Sequence, residues 1–154
     1  MYTYLLTIHS FFRWIVLIGL VVAIFCSYRA WKQHHTFSKL DNSIRHWTTT
    51  ITHIQLILGL WIYFISPIVD FFLHNFSKGI HLREIRFFGM EHIFVMLIAI
   101  TIITIGSMKS KRKEFDVEKH KTIVIWFGIG LLLILSSIPW KFLGLLSRPY
   151  FRIF

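Results

Sequence analysis

Four long apolar stretches constrain the fold of this chain more than any other feature of the sequence. They span residues 4–28, 47–69, 87–108 and 122–140. Within them the only charged side chains are Arg13 and Glu91. About 20 helical residues cross the roughly 30 Å of hydrocarbon in a bilayer. Because the chain is also 55% hydrophobic and only 16% charged, we predict an integral membrane protein with four transmembrane helices.

The short connections between the stretches predict how these helices pack. Helices joined by short connections run antiparallel, and lipid offers no partner to backbone polar groups outside regular structure. The expected fold class is all-α, with one transmembrane domain over residues 1–154 arranged as an up-down-up-down four-helix bundle. No Lys or Arg precedes the first stretch, so it does not resemble a secretion signal, and we expect it to be retained as a helix.

Basic residues in the connections account for most of the net charge of +10. Ten lie in residues 29–45 and 109–121, against six in residues 70–86 and the tail from 141 onward. Such residues orient a chain in the bilayer and contact anionic lipid headgroups, so we do not expect nucleic acid as a partner. The asymmetry predicts that both termini lie outside the cytoplasm. We expect the membrane to be a bacterial cytoplasmic membrane.

Histidines differ in their predicted depth in the membrane. His9 and His92 both lie about 8 Å below the outer surface, at 1.5 Å per helical residue. His53 enters from the opposite side and is expected roughly 15–20 Å from their level. Five other histidines fall in connections or at helix ends, where we expect them to be exposed or interfacial: His34, His35, His74, His81 and His120.

Two imidazoles at matched depth on different helices suit a haem, because its iron takes one ligand on each face of the porphyrin. We therefore expect His9 and His92 to be metal ligands. Gly89, on the same helical face as His92, offers little bulk against a flat macrocycle. Arg13, one turn from His9, and Arg86, at the outer end of the third helix, are candidates to pair with haem propionates.

Three segments carry a resemblance to a known group of proteins: HSFFRWIVLIG, RHWTTTITHIQLILGLW and GMEH. In helix number and histidine placement the chain resembles the small four-helix b-type cytochromes, which include cytochrome b561-like and copper-resistance-D-like membrane proteins. Those relatives often bind two haems through two histidine pairs. Here His53 has no equally deep partner on the fourth helix, and this departure from the family pattern leads us to expect one haem b.

The resulting hypothesis is electron transfer through one haem held between the first and third helices. The protein would exchange electrons with a quinol or a partner redox protein, and His53 and Gln55 would hydrogen-bond a quinone headgroup. A catalytic role in quinol-linked electron transfer is left open.

Other interpretations stand beside this hypothesis. The intramembrane histidines and arginine also suit a structural polar network between helices. The chain also suits a non-catalytic small subunit of a larger respiratory or transport complex, or a homo-oligomer. A proton or ion carrier would use Glu91 and His53. Glu91 has a further explanation, since a carboxylate in a helix's first turn satisfies the positive end of the helix dipole.

Overall fold

The computed structural model of the protein describes residues 1–140, which form helices and short connections. The helices are α1 (Tyr2–Lys32), α2 (Lys39–Ile65), α3 (Pro67–His74), α4 (Phe76–Gly79), α5 (Arg83–Arg86), a π-helical turn (Phe87–Glu91), α6 (His92–Arg112) and α7 (Asp116–Ser136). Four helical segments are long and apolar enough to cross a membrane: Tyr2–Lys32, Lys39–Ile65, Arg83–Arg112 and Asp116–Ser136. The third combines α5, the π-helical turn and α6.

The four long segments pack in a ring in which α1 contacts α2 and α7, and α6 contacts the same two helices. The helices α1 and α6 therefore lie diagonally across the bundle. Hydrogen bonds show the direction of neighbouring helices. Thr48 Oγ1 donates to the Gly19 carbonyl at 3.2 Å, and Gln55 Nε2 donates to the His9 carbonyl at 2.9 Å. Residue numbers rise along α2 as they fall along α1, so these helices are antiparallel.

The same crossing pattern holds around the rest of the ring. Arg45 and Tyr63 of α2 bond to Ser107 and Gly89 respectively, and Ser110 of α6 bonds to the Lys119 carbonyl of α7. The prediction of an all-α, membrane-spanning four-helix bundle with antiparallel neighbours is confirmed.

The second helix begins well before the predicted start at residue 47. Its N-cap is Ser38, whose hydroxyl accepts from the Asp41 amide at 3.1 Å, while the Asp41 carboxylate accepts from the Ser38 amide at 2.9 Å. This reciprocal arrangement is a capping box, and it starts the helix in a polar segment that hydropathy alone places outside it. The helix ends at Ile65 because Pro67 begins the separate helix α3.

The buried side chains of α2 are polar, and several of its large apolar side chains face outward. The buried set is spaced as one helical face: Arg45, Thr48, Thr49 and Thr52. The large side chains exposed on the outer surface include Ile57, Trp61 and Phe64. This arrangement suits a bilayer, since lipid solvates the apolar side chains and polar groups find partners between helices.

Residues 66–91 form a compact cap over one end of the bundle. Phe72 of α3 is buried there, and its ring fills the space beside Gly79 and Gly89. The third membrane segment starts at Arg83, earlier than predicted, and passes through the π-helical turn before His92. Such turns are often found at functional sites.

Close approach of α6 and α7 depends on two glycines. Trp126 occupies the space that a Cβ atom at Gly106 would take, and Ile103 does the same at Gly130. Ile103 and the neighbouring core residues Ile123 and Phe127 are almost completely buried. At each glycine, the backbone of one helix therefore contacts a side chain of the other, and no room is left for an added methyl group.

Gly130→Ala tests this packing. We expect it to lower the free energy of unfolding by about 1–3 kcal/mol, because the added methyl group overpacks the contact with Ile103. Gly128→Ala, two residues away, is the matched control, since a Cβ atom there meets nothing within 4 Å. The control should be neutral or stabilising by up to about 1 kcal/mol. Thermal unfolding in mild detergent measures both, and equal behaviour of the two variants would contradict the packing.

Candidate functional site

A cavity of about 190 Å³ lies inside the capped end of the bundle and is partly open to the outside. Side chains of α1, α2 and α6 form most of its wall, with contributions from α3 and α7. Most of them are apolar. The residues with polar side chains along the wall are Tyr2, His9, Ser10, Arg13, Thr52, Gln55, Tyr63, Ser66 and His92.

His9 reaches the cavity from α1 and lies against α2. A Cβ atom at Gly59 would be only 3.1 Å from Cε1 of His9, so the glycine makes room for the imidazole. Gln55 fixes the backbone at this level by donating to the His9 carbonyl at 2.9 Å. Within residues 1–140, the buried Nδ1 atom of His9 has no hydrogen-bond partner. The ring is therefore positioned by packing, and one of its nitrogens is unsatisfied.

His92 reaches the same cavity from α6, directly after the π-helical turn. Its Nδ1 atom lies 2.9 Å from the Ser137 carbonyl oxygen and 3.3 Å from the Ser137 hydroxyl. A carbonyl oxygen only accepts, so this contact favours the tautomer with the proton on Nδ1 and the lone pair on Nε2. The rings of Phe87 and Phe88 lie 5.7 Å and 6.3 Å from the imidazole. Hydrogen bonding and aromatic packing together set its orientation.

The structure brings together three of the residues predicted from the sequence to form the site. His9 and His92 line one cavity from the diagonal helices α1 and α6, and Arg13 lines it one turn from His9. The Arg13 guanidinium also contacts Ser10, through Nη2 at 3.3 Å, and the Trp14 ring at 5.5 Å.

Gln55 adds a second unsatisfied atom to this cavity. Its Nε2 atom donates a hydrogen bond to the His9 carbonyl, but its buried Oε1 atom has no hydrogen-bond partner among the described residues. Most buried polar atoms in proteins have a partner, and exceptions need an explanation such as a water molecule or a ligand. Gln55 Oε1 and His9 Nδ1 therefore mark this cavity as a place where a polar ligand would gain hydrogen bonds.

The remaining predicted site residues lie elsewhere. His53 pairs with the Thr104 hydroxyl at 2.8 Å and does not line the cavity. It is therefore separated from Gln55, because residues two apart on a helix do not face the same way. This arrangement corrects the prediction that His53 and Gln55 hydrogen-bond one headgroup.

Arg86 and Gly89 also have other contacts. Arg86 Nε pairs with Glu91 at 2.6 Å, and its Nη1 donates to the Ile80 carbonyl at 3.1 Å. The Phe72 ring occupies the space next to Gly89, so a flat macrocycle cannot use it. The Gly89 carbonyl accepts a hydrogen bond from Tyr63 at 2.9 Å. The ion pair with Arg86 therefore accounts for the carboxylate at position 91 better than the helix dipole does. The same ion pair holds the turn before His92.

Sequence reasoning missed two buried polar residues at the opposite end of the bundle. His120 was expected at an interface, but it is completely buried against the Phe37 ring, 4.9 Å away. Arg45 was counted as a connection charge, but it is buried, and its Nη1 and Nη2 atoms bond to Ser107 and Asn42 at 2.5 Å and 2.8 Å. The helical spacing of Arg45 with the following threonines was the available signal for its burial.

Ligand chemistry at the cavity is limited by the kinds of side chain it contains. No group of three or more His, Cys, Asp or Glu side chains in residues 1–140 is arranged to hold a metal ion. Haem iron differs from a bare ion in this respect, since the porphyrin supplies four ligands and the protein only two. The pair of His9 and His92 is therefore the donor set to consider.

No protein-family model, curated protein sequence or solved structure matches this chain. The functional argument therefore rests on the contacts within the cavity.

Tyr63→Phe tests how the cavity wall is held. The variant loses the hydrogen bond to the Gly89 carbonyl in the π-helical turn, and we expect the free energy of unfolding to fall by about 0.5–1.5 kcal/mol. Backbone amides of residues 87–91 should exchange with deuterium faster than in the unmodified protein. Tyr28→Phe is the control, because that ring is exposed on the outer surface of α1. Unchanged exchange at residues 87–91 would show that the bond does not hold the turn.

Proposed function

We propose that this protein is a small membrane b-type cytochrome, which transfers electrons through one haem b held between α1 and α6. The observation that carries the proposal is the convergence of His9 and His92 on one cavity from diagonal helices. His9 and His92 would hold the haem iron from opposite sides of the bundle. The haem supplies one-electron chemistry, and the protein supplies ligands and an apolar environment.

The polar contacts of these residues support the proposal. The Ser137 carbonyl favours the His92 tautomer whose Nε2 atom carries the lone pair needed by iron. Arg13 lies on the wall of the same cavity and is the residue to pair with a propionate, because a guanidinium binds carboxylates in a bidentate manner. Arg86 is left out of this role, since it pairs with Glu91.

Cavity size sets a requirement for the proposal. The enclosed volume of about 190 Å³ is below the roughly 300–1,000 Å³ of most small-molecule sites. A porphyrin would have to extend through the open side of the cavity or separate the helices that line it. One of these two changes, extension through the open side or separation of the helices, is therefore part of what is proposed.

A reduced-minus-oxidised absorbance spectrum tests haem binding directly. Protein purified in mild detergent after expression with sufficient haem should show b-type bands. His9→Ala and His92→Ala should each lose most of the bound haem, because each removes one of the two residues that would hold the iron. His46→Ala is the control, as His46 is an exposed histidine on α2 that does not line the cavity. A colourless unmodified protein would end the haem proposal, and full haem content in either cavity variant would end the ligand assignment.

A quinone headgroup is the second candidate for the same cavity. The observation in its favour is that Gln55 Oε1 and His9 Nδ1 are both buried and unsatisfied in a space of about 190 Å³. A single ring is closer to this volume than a porphyrin is. Its oxygen atoms would donate to Gln55 as a quinol or accept from His9 as a quinone. A colourless preparation from which organic solvent extracts a stoichiometric quinone would favour this candidate over haem.

We also propose that the chain is oriented with its N-terminus and the cavity outside the cytoplasm. The four candidate spans place residues 33–38 and 113–115 at one end of the bundle, where the basic residues are concentrated. Basic residues flanking transmembrane segments favour the cytoplasmic side. The electron donor or acceptor would then reach the cavity from the outer leaflet.

Cysteine labelling tests this orientation. In a Cys26→Ser background, Lys78→Cys places a thiol on the capped end, and Lys111→Cys places one on the basic end. A membrane-impermeant thiol reagent applied to intact cells should label position 78 and leave position 111 unlabelled. Both positions should react after the membrane is permeabilised. The reverse labelling pattern in intact cells would invert the orientation and place the cavity in the cytoplasmic leaflet.

A further inference from the structure

A second cleft lies at the basic end of the bundle, between α6 and α7 on the surface that faces away from the bundle interior. Its volume is about 500 Å³. Four basic side chains line it: Lys109, Arg112, Lys113 and Lys121. The only acidic residue on its wall is Glu118, which pairs with Lys113 at 3.2 Å. Within residues 1–140, the other three cations form no ion pair with a carboxylate. The cleft therefore presents a concentrated positive charge to its surroundings.

Trp126 lines the cleft and contacts one of its cations. Its side chain is held against α6, where it fills the space beside Gly106. The Lys109 ammonium group lies 4.2 Å from the centre of the indole ring, within the range of a cation–π contact. The position of Lys109 is thus set by a ring that packing holds in place. An anion in the cleft would meet at least one pre-positioned cation.

The surface next to the cleft is apolar and belongs to a membrane-spanning helix. Ile125 lines the cleft and is 44% exposed, and Ile129 and Leu132 continue the exposed surface along α7. This arrangement places cations at the end of a transmembrane helix and exposed apolar side chains next to them. It is complementary to a phospholipid, which has an anionic headgroup and apolar acyl chains. The headgroup would lie among the cations, and the acyl chains would lie along α7.

We propose that this cleft is a binding site for an acidic phospholipid, whose phosphate is held by Lys109, Arg112 and Lys121. Basic pockets between transmembrane helices attract anionic headgroups, and each cation near the membrane surface strengthens the attraction. A soluble phosphate would use the cations alone, whereas a phospholipid also covers the apolar surface of Ile125 and Ile129. The site is separate from the cavity of His9 and His92 and does not depend on haem or quinone binding.

Native mass spectrometry of the full chain tests the site. The protein is titrated with phosphatidylglycerol and with phosphatidylcholine of the same acyl chains. We expect tighter binding of phosphatidylglycerol, and a loss of at least about tenfold in its affinity for the triple variant Lys109→Gln, Arg112→Gln and Lys121→Gln. Phosphatidylcholine binding should not change. The triple variant Arg29→Gln, Lys39→Gln and Lys111→Gln is the control, because it removes the same charge from the same end of the bundle outside the cleft.

Three results would overturn the proposal. Equal binding of the two lipids by the unmodified protein would show no preference for acidic headgroups. An equal loss of affinity in both triple variants would show general attraction by surface charge and no defined site. An affinity for inorganic phosphate equal to that for phosphatidylglycerol would show an anion site to which the acyl chains contribute nothing. Thermal unfolding in phosphatidylcholine confirms that each variant is folded before the lipids are compared.

Discussion

Polar groups inside a bilayer must find partners within the protein, and the rest of this structure depends on that constraint. A charged or hydrogen-bonding side chain facing lipid loses its contacts with water and gains nothing in return. In this bundle Arg45 and three threonines of α2 face the interior, and Ile57 and Phe64 of the same helix are exposed on the outside. Helix rotation is thereby set by hydrogen bonds, such as that from Arg45 to Ser107, as much as by apolar packing.

The same constraint makes the exceptions informative. Most buried polar side chains at the basic end of α2 are paired, as Arg45 is with Asn42 and Ser107. Unsatisfied buried atoms occur at both ends among the described residues: Arg45 Nε and the two His120 nitrogens at the basic end, and His9 Nδ1 and Gln55 Oε1 at the cavity. Leaving a buried polar atom unsatisfied costs about 1–3 kcal/mol. A polar ligand in the cavity would remove this cost at His9 and Gln55.

The two ends of the bundle have different characters because their connecting segments differ. At one end a cap of short helices closes over the cavity, and the pair of Arg86 and Glu91 holds the turn before His92. At the other end the connections are short and basic, and the cations beside Trp126 remain open to the membrane surface. A site for a buried ligand and a site for a lipid headgroup can therefore exist in one small protein without overlapping.

Hydropathy and chain length by themselves determined the fold class, the number of membrane segments and their antiparallel order, because lipid leaves a short apolar chain few alternatives. Counting residues along helices also placed His9 and His92 at a similar depth, since helical rise is constant. Only the tertiary structure decided which way each side chain faces. It paired Arg86 with Glu91, set Phe72 against Gly89 and buried His120, because these contacts depend on the cap and on helix rotation, which no local pattern in the sequence specifies.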